Sequence, residues 1–180
     1  MARVLEITVY KFDELDANVQ QDVISNWRNG DHFYWSDEWQ ESLNAFAKLA
    51  PITIRNWEVG YRSTGVTFDV DEDDNYGDGI AELSGVRAWK WLVNNGWAKL
   101  AAGQDCPFTG YCGDEDLLDP IRDALANPAS ITSLRDVFND ALQGWAWAFE
   151  RDINHWGSEE AIREDIEANE YEFNANGTLA

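Results

Sequence analysis

Counted from Asp71, oxygen donors fall at positions 1, 3 and 5 (Asp71, Asp73, Asn75) and at position 12 (Glu82). That spacing is most of the register with which an EF-hand loop holds calcium. Tyr76 stands where the sharp turn needs glycine, and Asp78 where an apolar residue belongs. The competing readings are a solvated acidic turn and a protein-binding patch. A second inventory, Cys106 and Cys112 with His32 and His155, supplies the donor types of a Cys2His2 zinc site. Five residues separate the cysteines, outside the usual two to four, and both histidines are remote in sequence. Pro107 and Gly110 between them read as a rigid turn with the thiols packed as small apolar groups.

No G-x-S-x-G, P-loop, G-x-G-x-x-G or H-E-x-x-H pattern occurs, and no cofactor motif is present. With thirty-four acids, a carboxylate pair for general acid–base work can always be assembled, but none stands out. The expectation is a protein without enzymatic activity, cofactor or metal. The alternative is a calcium-binding protein or small hydrolytic enzyme using the acidic loop 71–82.

Those thirty-four acids against thirteen Lys and Arg leave a net charge of −21 at pH 7. Such a field repels nucleic acids and anionic membranes and attracts basic proteins. Ten tryptophans set the chain apart from disordered acidic tails, which are poor in aromatics. Nineteen Asp and fifteen Glu beside four Lys is also the composition of a salt-adapted protein, in which acidity serves solubility. With two cysteines, no signal-like h-region and no membrane-length apolar run, the expectation is a cytoplasmic protein with reduced thiols.

Periodicity supplies the elements. Residues 5–12 alternate as a strand, and Leu15, Val19, Val23 and Trp27 give a helix ending near Gly30. Ser36 opens a second helix with Trp39, Leu43, Phe46, Ala47 and Ala50 inward, stopped by Pro51. Residues 52–59 and 65–70 read as an antiparallel hairpin. A helix over 85–100 has the stripe Val86, Trp89, Val93, Trp97 and Leu100, with Trp91 about 200° from Trp89. A helix over 114–127 contains Pro120, which demands a late start or a kink. Ser133 to Asp136 fits a capping box with Ile131 as its staple, opening the longest helix. Its stripe is Val137, Ala141, Leu142, Trp145, Phe149, Ile153 and Trp156, with Trp147 opposite Trp145. A last helix runs from Gly157-Ser158 to Asn169, and 171–173 read as a short strand. The fold class is α+β, a small antiparallel sheet packed against several helices. It forms a single domain, 1–180, whose part from 84 to 170 reads as helical.

The acids cluster in three places: Asp71, Glu72, Asp73, Asp74 and Asp78 in the loop; Asp114, Glu115 and Asp116 at a helix start; and Glu159, Glu160, Glu164, Asp165 and Glu167 on the last helix. Like charges at i, i+4, such as Glu160 and Glu164, cost a few tenths of a kcal/mol each, so a fold carrying many of them is either salt-adapted or using the field. The clusters read as phosphate substitutes, and Trp91 and Trp147 as exposed anchors, tryptophan being enriched at interface hot spots; the competing reading is that both helices are sandwiched between layers and the two rings are core.

The segment Val9-Tyr10-Lys11-Phe12-Asp13-Glu14-Leu15, leading to a polar helix that ends in Trp27-Arg28, resembles small acidic proteins encoded by phages and prophages. Gly85 to Leu92 and Cys106 to Cys112 are similar to the same group. The resemblance covers about a quarter of the chain and transfers no functional residue. It implies an anti-defence inhibitor of the anti-CRISPR or anti-restriction kind, acting as a DNA mimic. The partner expected is the basic nucleic-acid-binding surface of a host CRISPR or restriction nuclease, with no direct binding of nucleic acid or membrane. A homodimer would lengthen the charged face.

Overall fold

A computed structural model of the chain describes residues 8–30, 36–60, 62–71, 79–103, 107–111 and 113–180. Its contacts divide into two compact units, Met1–Tyr34 with Asp152–Ala180, and Trp35–Arg151. The architecture is α+β, with seven α-helices and a two-stranded antiparallel sheet among the described residues.

In the first unit, α1 (Ala17–Asn29) and α7 (Glu159–Ala168) pack on each other because each has one narrow apolar stripe. Val23, Ile24 and Trp27 of α1 meet Ile162 and Ile166 of α7, and Phe12, Leu15 and Phe173 close the cluster. Ser158 caps α7, its hydroxyl accepting from the Ala161 amide at 3.1 Å. Tyr10 and Phe173 exchange backbone hydrogen bonds at 2.8 and 2.9 Å, the residue of two expected strands. The strand expected over 5–12 is this single bridge in its described part, since a 3-10 turn begins at Phe12; residues 5–7 lie outside the described residues.

The second unit contains α2 (Ser36–Leu49), β1 (Ile52–Glu58), β2 (Gly65–Val70), α3 (Gly85–Asn94), α4 (Trp97–Ala101) and α5 (Gly113–Ala126). It also holds most of α6 (Leu134–Trp156). The hairpin pairs Ile52 with Val70 and Glu58 with Gly65, its register shifting by one between Ile54 and Asn56. It is tied to α6 by Gln143, whose Nε2 donates to the Val66 carbonyl at 2.9 Å, and by Trp57, edge-on to Trp145 at 5.7 Å. Trp39 stacks on Phe149 with centroids 5.1 Å apart and planes 6° apart. Phe46, Trp97 and Phe138 complete the aromatic core.

One helix expected over 85–100 is two. Gly96 adopts φ +83°, a left-handed turn that ends α3 and restarts the phase at α4. The inward face of α3 is therefore Ala88, Trp91 and Leu92, while Val86 is exposed. The capping box of α6 forms, Ser133 Oγ accepting from the Asp136 amide at 3.2 Å and Asp136 Oδ2 accepting from the Ser133 amide at 3.4 Å. Its expected staple does not form, because Ile131 is 94% exposed. Instead the Leu134 and Arg135 amides, orphaned at the helix start, donate to the Leu83 and Ala81 carbonyls. At the far end of the expected stripe Trp156 is 41% exposed.

Pro120 lies inside α5. Having no N–H, it leaves the Asp116 carbonyl without its helical donor. A Cβ on Gly144 of α6 would sit 3.3 Å from that carbonyl oxygen, so glycine there lets the two helices meet at the proline.

Candidate functional site

The three acidic clusters have different environments. In the first, Asp71 follows β2, and its carboxylate accepts from Thr53 Oγ1 at 2.8 Å. Glu72, Asp73, Asp74 and Asp78 lie outside the described residues, and so does the centre of the calcium register. Glu82 is exposed. Cys106, Cys112 and His32 are likewise outside, and His155 is exposed on α6. Among the described residues no three His, Cys, Asp or Glu side chains converge as metal ligands.

The second cluster is occupied by internal partners. Asp114 is fully buried. Its Oδ2 accepts from the Phe108 and Thr109 amides at 2.8 Å each and the Gly110 amide at 3.3 Å, while Oδ1 accepts from Thr109 Oγ1 at 3.0 Å. Asp114 is thus the internal hydrogen-bond acceptor of the 107–111 turn and not a surface phosphate substitute, which corrects its place among the contact residues. Thr109 Oγ1 also lies 2.9 Å from Ser42 Oγ of α2, so the turn is locked to the core by hydroxyls.

Glu115 is paired with Arg122, which also holds Asp119 at 2.8 Å and donates from Nε to the Ala101 carbonyl. The hydrogen bond to Glu115 raises the Arg122 pKa further, so the guanidinium stays charged. Asp116 lies 3.6 Å from Arg151. Burial pushes its carboxyl up to about 6 despite Arg151, with Asp119 and Glu115 adding repulsion. Half-buried and held beside Arg151, Asp116 is a poor phosphate substitute.

The third cluster is presented to solvent. Glu159 pairs with Arg163 at 3.0 Å, and Arg163 also reaches Asp13 at 3.5 Å and covers the Phe12 ring at 4.7 Å. Asp165 Oδ1 accepts from Asn169 at 2.8 Å. Glu160, Glu164 and Glu167 are exposed, at i, i+4 and i+7 on one face of α7, and no basic side chain reaches them among the described residues. The first unit carries fourteen acids against four bases, and the larger second unit twenty against nine.

The two tryptophan anchors separate as well. Trp147 is 56% exposed on α6. Trp91 is 6% exposed and edge-on to Phe138 at 6.1 Å, so it belongs to the core and is withdrawn as a surface anchor.

A cleft of about 260 Å3 in the second unit is lined by Trp89, Asp123 and Asp140, together with Ala88, Pro120 and Asn127. Its residues come from α3, α5, α6 and the segment 127–132 that joins the last two, and their convergence is tertiary; the period-3.6 pattern put Trp89 in the core and left Asp140 unremarked.

Among the described residues no helix is long and apolar enough to cross a membrane. No family model matches this chain, and comparison with curated proteins and with solved structures likewise finds none that is similar.

Proposed function

We propose that the chain is an acidic inhibitor that binds the basic nucleic-acid-binding surface of another protein, with α7 as the phosphate-like face. The observation that carries this reading is the row Glu160, Glu164 and Glu167, solvent-facing and without a counter-charge among the described residues. At a rise of about 1.5 Å per residue, the three carboxylates of that row span about 10 Å of α7 and stand about 5 Å apart along the axis. One strand of DNA carries a phosphate per about 3.4 Å of axis, so a groove built for phosphates meets a comparable but sparser row of charge. The helix supports that row at the cost of Glu160–Glu164 repulsion, which an internal partner would have removed.

The target class is a nuclease of a bacterial defence system, CRISPR or restriction, as the resemblance to small acidic phage proteins implies. Trp147 supplies an apolar contact on the second unit. Association is steered by charge, fast at low salt and weakened as salt rises. Immobilised protein should capture such a nuclease from a defence-proficient bacterial lysate and release it to salt or competing nucleic acid. Capture unchanged by Glu160→Gln/Glu164→Gln/Glu167→Gln would remove α7 from the interface.

A further inference from the structure

We propose that the cleft between α3, α5 and α6 seats an arginine side chain of the basic partner. This rests on the reading that the chain binds basic protein surfaces, and it names what one partner residue does there.

The chemistry follows from what each wall still has to offer. Trp89 Nε1 is committed to the Leu125 carbonyl at 3.1 Å, so towards a ligand Trp89 contributes ring surface and no donor. Ser130 Oγ and Thr132 Oγ1 bond each other at 2.8 Å. The Asp123 and Asp140 carboxylates line the same cleft, are exposed, and have neither an ion pair nor a hydrogen bond among the described residues. Arg122, the neighbour of Asp123 in sequence, is spent on Glu115, Asp119 and the Ala101 carbonyl. The Asn127 carboxamide is unengaged too.

Two free carboxylates, a carboxamide oxygen and an indole ring over an apolar floor of Ala88, Pro120 and Val137 suit a cation with an apolar stem. They disfavour any anion. At about 260 Å3 the cleft falls below the about 300–1,000 Å3 usual for cofactor and drug-sized sites, so a single side chain fits the volume better than a nucleotide or cofactor. Arginine is preferred over lysine on geometry: a planar guanidinium stacks on indole while its edge donates to carboxylates, whereas an ammonium is a compact, strongly hydrated point charge.

The test is a titration of 15N-labelled full-length protein with N-acetyl-arginine methylamide, followed at the Trp89 indole N–H and the Asn127 side-chain amide. The expected result is saturable shifts centred on these groups. The Kd should rise on the order of tenfold in Asp123→Asn/Asp140→Asn, which loses two charge-assisted acceptors at exposed positions. The lysine analogue should bind more weakly, and Glu160→Gln/Glu164→Gln/Glu167→Gln should bind arginine as the parent does. Shifts that never saturate, that spread over the acidic surface, or that persist unchanged in the Asp123/Asp140 variant would overturn the assignment. So would tighter binding of the lysine analogue. Loss of arginine binding with target capture intact removes the cleft alone; saturable arginine binding without any target captured removes the α7 reading alone.

Discussion

Asp114 grips Thr109 twice, through the backbone amide at 2.8 Å and through the side-chain hydroxyl at 3.0 Å, from a position with no solvent exposure. A carboxylate enclosed by donors of its own chain is structural, and its removal orphans three backbone N–H groups at once. Asp114→Ala is expected to cost about 3 kcal/mol or more, read as a lower midpoint in denaturant unfolding. Stability within about 0.5 kcal/mol of the parent would refute the role.

Asp116 is expected to weaken the fold at neutral pH. Its folded-state pKa of about 6 stands above the 3.8 of the free side chain. The native state therefore binds more protons between those values, and stability falls as pH rises through that window. Asp116→Asn should raise stability at pH 7 by on the order of 1–2 kcal/mol, after discounting for partial exposure and the lost Arg151 pair. The gain should vanish near pH 4. Thermal melts of both proteins across that range check it, and a benefit that does not change with pH would contradict it.

Trp91 and Trp147 should respond in opposite ways. Trp91→Ala opens the core beside Phe138 and should cost about 3–5 kcal/mol. Trp147→Ala should change stability little and reduce capture of the partner. Equal stability losses in both variants would refute this division.

Much of the fold was legible in the sequence because its signals are local. The hairpin follows from two β-branched runs, the start of α6 from Ser133 and Asp136, and α7 from Ser158 and three inward residues. The face of α3 was not legible, because a stripe read continuously over 85–100 borrowed Trp97 and Leu100 from α4. Gly96 resets the helical phase between them, and a glycine's φ is not written in its periodicity. Gly96→Ala should cost about 1–2 kcal/mol, measured by denaturation, although no atom lies within 4 Å of the added Cβ. At the site level, sequence clustering located the acids but not their partners. Arg151 lies far from Asp116 in the chain, and the donors that enclose Asp114 form a turn only after folding. The cleft at Trp89 needs three helices in place before it exists.

Neutralising α7 separates function from fold. Glu160→Gln/Glu164→Gln/Glu167→Gln relieves like-charge repulsion and should leave stability unchanged or raise it by a few tenths of a kcal/mol, most visibly at low salt. A large destabilisation would show that these carboxylates serve the fold.

The most direct measurement compares this variant with the parent as bait in a defence-proficient bacterial lysate, at low and at moderate salt, with and without competing nucleic acid. The parent is expected to capture a nucleic-acid-binding nuclease, salt and competitor to release it, and the α7 variant to retain little of it. Equal capture by both baits, or capture indifferent to salt and competitor, would contradict the claim that α7 occupies a nucleic-acid groove.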